Sequence, residues 1–445
     1  MLLANLLKKF PMEFIFTILI VVFVNKKEIN NTKHFKYNLK MLKRVLFFVF
    51  FINAALLSAN RVKITVAQDG SGDFTTITAA LQSLPMFNYE RVVIYIKKGI
   101  YNEKIKITQD YVTLLGEDRE NTTIAYNQLR SDWDAHKDSI GPAVVNIYAD
   151  DIVLSNLTIK NTQLLKEPHA FTIYGTGTRT ITINCTIESN GGDTVSLWNY
   201  KNGMYYHANC SFTGSVDFVC PRGWCYIRDS RFYEHRKTAS VWHAGSYSKD
   251  QKFAIVNSFF DGVEGFELGR HHYDACFYFI GCNFSKNLKD TPIYRVTYKD
   301  STQNRPFNWG KRYFYYNCKK EGMEFGWLKD NITKHDAEEI NCQYVFEGKW
   351  NPESKEKLQI KAFKINNNYV LLEFEEPLTV EGSPELKTSS GKVFRFESGN
   401  GSNCLRFISD FEISKPDLEN ITIHNGIIYS SIAGVYKREV DLNSK

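Results

Sequence analysis

Two aspartates are the first residues in this chain that could do chemistry. Asp193 lies in Gly191-Gly-Asp-Thr-Val195 and Asp217 in Gly214-Ser-Val-Asp-Phe-Val219, 24 residues apart. If that interval is one turn of a repeating β structure, the two carboxyls stack on one face, about 4.8 Å apart along the stack. Two carboxyls that close do not both ionise readily, so one keeps its proton near neutral pH while the other is charged. Such a pair supplies a nucleophile beside a proton donor. Arg270, in Phe266-Glu-Leu-Gly-Arg270, follows Asp217 by 53 residues, about two such intervals, and could hold the ionised partner charged. The spacing alone equally suits aspartates in structural turns.

The elements around these residues fit a stacked repeat. From Val92 onward, short β-prone runs recur with almost no helical periodicity. A weak motif appears in Asn156-Leu-Thr-Ile159, Asn184-Cys-Thr-Ile187, Asn209-Cys-Ser-Phe212, Asp229-Ser-Arg-Phe232, Asn257-Ser-Phe-Phe260 and Gly281-Cys-Asn-Phe284, at intervals of 28, 25, 20, 28 and 24 residues. A period in the twenties without helix is the pattern of a β-solenoid, whose units bury their apolar faces only against one another. An antiparallel sandwich would place strands 8–12 residues apart with hairpin dipeptides between them, and few occur here. An open coil end needs a cover. Residues 75–84, with Ile77, Ala80, Leu81 and Leu84 on one helical face and Pro85 as the stop, predict a capping helix. Beyond Trp350-Asn-Pro352 the texture becomes alternating strands divided by Gly/Ser/Asn turns, predicting a small antiparallel β-sandwich-like domain over residues 354–445.

The net charge of +6 belongs to the N-terminal segment. Residues 1–59 carry nine Lys/Arg against two Glu, which leaves residues 60–445 at −1 and gives no electrostatic case for nucleic acid. Residues 41–59 read as a secretory signal peptide: a basic start at Met41-Leu-Lys-Arg44, an apolar run and small residues at its end. The earlier apolar run, residues 14–24, is short of the roughly 20 residues that span a membrane. Residues 1–40 are read as an over-extended start. A secreted or periplasmic protein without stable membrane association is expected, as a monomer. Of the nine cysteines, Cys185, Cys210 and Cys282 occupy similar repeat positions; such cysteines predict small buried hydrophobes, and no disulfide framework is expected.

Several segments, in order, resemble pectin methylesterases. Val66-Ala-Gln-Asp-Gly-Ser-Gly-Asp-Phe74 is similar to that family's opening segment, and Gly99-Ile-Tyr-Asn-Glu103 to its Gly-x-Tyr-x-Glu motif. Asp193-Thr194 stands at its Gln-Asp-Thr, Gly214-Ser-Val-Asp-Phe-Val219 at Gly-x-Val-Asp-Phe-Ile, and Leu268-Gly-Arg270 at Leu-Gly-Arg-Pro-Trp. Phe346-Glu-Gly-Lys-Trp350 resembles the closing segment of bacterial members, and the whole resemblance spans about residues 62–352. It implies a right-handed parallel β-helix over residues 60–353 and hydrolysis of methyl esters on galacturonate units of pectin. It further implies Asp217 as nucleophile, Asp193 as general acid and then base, and Arg270 as the group orienting Asp217, with no metal or cofactor. Tyr101 and Glu103 would support the early coils.

The chain departs from the family where glutamines normally supply the oxyanion hole. Gly192 replaces the first and His169-Ala-Phe-Thr-Ile173 the second; loss of one such donor commonly costs about 10²–10³ in turnover. His169 admits two readings, an oxyanion donor or a packed groove residue. Cys220-Pro221 and His271-His272 replace Phe-Gly and Pro-Trp, so the sugar-binding walls should differ, as in a divergent branch with another pectic preference. Among Trp198, Tyr200, Tyr205, Arg222, Trp224, Trp242, His243 and Arg305, the substrate contacts expected are Arg222 and Trp224, together with His169 and His272. A pectate lyase would need a Ca²⁺-binding carboxylate cluster and a polygalacturonase a differently spaced acid pair; motif order argues against both. A pectin-binding module without turnover is the remaining alternative, against which stands the retained trio Asp193, Asp217 and Arg270.

Overall fold

A computed structural model describes residues 63–88, 91–244, 248–304, 306–353, 358–374, 378–388, 390–418, 421–430 and 440–441. The signal-peptide reading and Arg305 lie outside the described residues. Parallel strands build three sheets of ten, eight and nine strands among the described residues, and the chain visits the sheets in rotation. One coil runs Thr180–Ile183, Thr186–Gly192, Val195–Leu197; the next runs Met204–Ala208, Ser211–Ser215, Val219–Pro221. This is the right-handed parallel β-helix expected from the repeat.

The recurring motif has a local cause. Its first residue turns the corner between the ten-stranded and nine-stranded sheets in the left-handed region, with φ of 57° at Asn156, 51° at Asn184, 52° at Asn209, 51° at Asp229, 48° at Asn257 and 62° at Gly281. Asn, Asp and Gly tolerate that conformation best. The asparagine amides also bond between coils: Asn184 Nδ2 donates to Asn156 Oδ1 at 2.8 Å and Asn209 Nδ2 to Asn184 Oδ1 at 3.2 Å. The fourth residue of the motif then points inward. Phe212, Phe232, Phe260 and Phe284 form a buried column, with Phe232 and Phe260 stacked at 4.2 Å and Phe260 and Phe284 at 5.3 Å. The second motif residue packs beside it; Cys185, Cys210 and Cys282 are buried free thiols.

The helix predicted at the N-terminal end spans Ile77–Gln82, with Thr76 as its N-cap and Ile77, Ala80 and Leu81 buried. The Glu103 carboxylate accepts from Ile77 N at 2.9 Å and Thr78 N at 2.8 Å, so this residue ties the helix to the first coils. Toward the other end, Ile340, Cys342, Val345 and Phe346 cover the outer face of the ten-stranded sheet over Tyr206, Trp224 and Tyr226. The C-terminal strands, from Leu358–Asn366 to Thr422–Ser430, join in one seven-stranded sheet. It is antiparallel except for the edge pair of Leu358–Asn366 with Val440–Asp441, and has its own core around Val370, Leu372, Phe394 and Phe407. Among the described residues, no helix is long and apolar enough to cross a membrane.

Phe260 has a ring on each side and no exposure. Phe260→Ala should therefore cost about 3–5 kcal/mol, read as a lower midpoint in chemical denaturation.

Candidate active site

The eight-stranded sheet fixes the site by register. Val195 pairs with Val219, Val219 with Val241 and Val241 with Gly269. Asp193 and Asp217 each precede their paired valine by two residues, so they stack on adjacent coils, as the 24-residue interval suggested. Arg270 follows the last member of the same row. Both aspartates have φ of 56°, and Val216, just before the second, has φ of 24°. Left-handed backbone in a non-glycine residue is costly and is held here by bonds to neighbouring coils. Asp193 N donates to Val216 O at 3.2 Å and Asp217 N to Ala239 O at 2.6 Å. The turn aims both carboxyls outward from the sheet.

Arg270 grips Asp217 with Nε at 2.9 Å from Oδ1 and 3.1 Å from Oδ2, and Nη2 at 2.9 Å from Oδ2. Burial pushes the Asp217 carboxyl up to about 7 and Arg270 opposes the rise, while the neighbouring Asp193 adds to it. Burial likewise works against the Arg270 charge, but the bond to Asp217 outweighs it and holds the guanidinium above its ordinary value. Asp217 therefore becomes a carboxylate as pH rises past about 7. Asp193 meets a smaller set of partners, with Ser196 Oγ at 3.4 Å from Oδ2 and His169 Nε2 at 3.8 Å from Oδ1.

The two positions where the family has glutamine lie side by side, since His169 forms a bridge with Gly192. The strand Thr186–Gly192 carries a bulge: Glu188 pairs with Thr213, but Gly192 with Ser215. Bulges of this kind re-aim side chains beside active sites. A Cβ at Gly192 would lie 2.8 Å from Val216 Cγ1, so a larger residue there requires the Val216 side chain to shift. His169 is 42% exposed at its side chain and open to the cleft.

Of the other expected contacts, Arg222 and His272 border one cavity of about 500 Å³ that also includes Tyr200, Trp242 and Tyr298. The Arg222 guanidinium lies over Trp198 at 3.9 Å, Trp242 at 4.7 Å and Tyr200 at 5.6 Å. Trp242 Nε1 donates to His272 Nδ1 at 2.8 Å, and the His272 ring stacks on Tyr298 at 5.7 Å. Trp224 does not join this group. It lies on the ten-stranded sheet among residues that Ile340, Cys342, Val345 and Phe346 cover, beneath Lys349 at 4.5 Å. Two steps along the chain from Arg222 turn the corner to another sheet, so adjacency in sequence misled. Tyr205 and His243 are fully buried, the latter with Nε2 at 2.7 Å from Gly223 O.

Glu234 was missed. It is fully buried below the Asp217 turn, and Gly214 and Gly262 are its strand partners on either side. Its Oε1 accepts from Arg236 N at 3.0 Å. Burial raises its carboxyl to about 9, against hydrogen bonds from Arg236, Thr238 and Val216. The signal was present: in Arg231-Phe-Tyr-Glu234 the alternation that turns Phe232 inward also turns Glu234 inward. Thr238 in turn accepts from Val216 N at 3.2 Å.

Residues 63–246 match the family model for pectinesterase. Both aspartates of the stack lie inside that match. A probable pectinesterase (number 49) of Arabidopsis thaliana is 32% identical over 178 residues, covering 37% of this chain and 45% of the relative. The chain spans about half the length of such curated relatives. Among solved structures, pectin methylesterase from carrot superposes with a TM-score of 0.54 at 19% identity, over 64% of this chain and 94% of that one. A pectin methylesterase in complex with a hexasaccharide gives 0.55 at 20% identity, over 65% and 98%. Arg270 lies beyond the pectinesterase match.

Two measurements test these electrostatics. Among the described residues Arg270 alone bonds to the Asp217 carboxylate, so in Arg270→Met the Asp217 titration midpoint, followed by carboxyl NMR, should move above about 7. Glu234 binds a proton in the folded state that the unfolded chain releases near its ordinary value of 4.5. Its contribution to stability is therefore present at low pH and lost as pH rises toward about 9. Glu234→Gln should flatten that fall in denaturation compared between pH 5 and pH 9.

Proposed function

We propose that this chain is a carboxylic ester hydrolase that removes methyl esters from galacturonate units of pectin or a related pectic polysaccharide. The observation that carries the reading is the Asp193–Asp217 stack, inside the stretch that matches the pectinesterase model, with Arg270 on Asp217. Asp217 attacks the C6 ester carbonyl through a carboxylate oxygen. The carbonyl π electrons move to oxygen, and collapse of the tetrahedral adduct expels methoxide, which takes a proton from Asp193 and leaves as methanol. Asp193, now a carboxylate, removes a proton from water as it attacks the acyl-enzyme, releasing the free uronate and Asp217. Arg270 fixes the Asp217 oxygens and keeps one charged at a pH where burial alone would protonate it. His169, open to the cleft beside Asp193, is the side chain placed to donate to the developing oxyanion, since Gly192 offers none. Arg222 and His272 contact the sugar chain.

Residues 60–353 are the catalytic region in this reading and 354–445 an accessory one, exported by the segment 41–59. The relative solved with a hexasaccharide supports a polysaccharide substrate.

Methanol release from highly methylated pectin by the chain, beside its Asp217→Ala variant, tests the proposal. Release by the parent, rising with pH through about 7 as Asp217 ionises, and at least a thousandfold less from the variant, is the expected result. Release that the variant retains would remove Asp217 from the chemistry. Pectin binding without methanol from the parent would favour a binding module, the reading consistent with an oxyanion site lacking both glutamines.

A further inference from the structure

Glu234 is a buried acid that the ester chemistry leaves unused, and it lies under the turn that carries Asp217. A Cβ at Gly262, its strand partner, would lie 3.0 Å from Glu234 Cβ, so the acid occupies space that a larger partner would need. Oε1 accepts from Arg236 N at 3.0 Å. The Thr238 hydroxyl donates to the same carboxyl and accepts from Val216 N at 3.2 Å. One residue further on, Asp217 N donates to Ala239 O at 2.6 Å. The Asp217 turn is thus seated on residues 238–239, and that seat is tied to Glu234. Val216 and Asp217 hold left-handed backbone, with φ of 24° and 56°, which persists only where the surroundings over-determine it.

The second oxygen decides where the proton belongs. Oε2 is buried without a hydrogen-bond partner among the described residues. A carboxylate shares its charge between both oxygens, and here one has no donor to receive it. A proton on Oε2 removes that cost, in keeping with a carboxyl that burial raises to about 9. The charges on the surrounding elements are engaged elsewhere. Arg236 turns to Glu167 at 3.3 Å, and the Lys237 stem lies over Gly265. Asp261 accepts from Asn287, Glu267 from Lys289 and Tyr294, and His235 has Lys166 and Glu188 as charged neighbours. The charge that Glu234 does meet is that of Asp217, which opposes its ionisation. We propose that Glu234 is a positioning residue for Asp217: its neutral carboxyl fastens the turn that aims the nucleophile, and loss of its proton releases that turn. The effect on turnover rests on the esterase reading, whereas the fastening stands on the geometry. Once ionised, Glu234 has no counter-ion, one oxygen without a donor and a like charge above it, since Asp217 is by then a carboxylate. Relief requires the 234–238 loop to move or water to enter, and either displaces the seat of Val216 and Asp217. Asp217 must have lost its proton while Glu234 keeps its own, which confines turnover to the interval from about 7 to about 9.

The pH profile of kcat for methanol release from methylated pectin, corrected for spontaneous base hydrolysis of the ester, tests the role. In the parent, kcat should fall about tenfold between pH 8 and pH 10, as a single ionisation near 9 requires, while KM holds steady. Glu234→Gln keeps the shape and the acceptor but cannot ionise, so its kcat should stay within about twofold over the same interval. Thermal unfolding at pH 10 checks that both chains are folded. An equal fall in a folded Glu234→Gln, or a parent whose kcat does not fall, overturns the proposal. A second measurement needs neither a variant nor turnover. Beyond its own step at about 7, the Asp217 carboxyl NMR signal of the parent should show a second displacement at about 9. Its absence overturns the proposal even where Glu234→Gln does not fold. Its presence in a chain that releases no methanol from any pectin supports the positioning role and removes the esterase reading alone.

Discussion

Everything at the site depends on coils that stack without slipping. A parallel pair shifted by one residue would turn each inward side chain outward, and Asp193 would no longer lie over Asp217. The corner asparagines oppose such a slip twice over. Their left-handed backbone marks one fixed position in each coil, and their amides bond to the equivalent residue in the next. The phenylalanine column three residues later supplies a driving force that depends on the same alignment. Register is thus set at the corner, enforced in the core, and expressed at the eight-stranded face as two superposed carboxyls.

At that face the electrostatics are a contest between desolvation and pairing. Buried carboxyls resist ionisation, and the structure answers that resistance differently at each acid. Asp217 has a bidentate arginine; Glu234, deeper and without a cation among its hydrogen-bond partners, stays neutral. A neutral Glu234 adds no negative charge below an already crowded pair, yet still supports the loop that aims the nucleophile, through Arg236 and Thr238. The arginines are divided in the same way. Arg270 is held by an anion, Arg222 by ring faces.

The sequence made the solenoid legible because its corners require one unusual backbone conformation and few residue types adopt it. The aspartate pair followed from the same period. Arg270 was placed correctly despite its distance along the chain, since two coils return it to the same face. Trp224 was misplaced because nearness in sequence says little where the chain turns between sheets every few residues. Glu234 went unnoticed although its alternation with Phe232 was readable; an acid among charged neighbours looks like surface until the inward phase of the strand is fixed. That burial would raise the Asp217 carboxyl despite its arginine could not be read at all, because burial depends on the loops packed around the finished coil.

The bridge between His169 and Gly192 also concentrates one wall of the cleft in a single side chain. Glycine contributes no side chain at its position, and the imidazole beside it stands 3.8 Å from an Asp193 oxygen. The polarity of that wall therefore has a single point of failure: a substitution at position 169 finds no side chain at 192 to compensate for it.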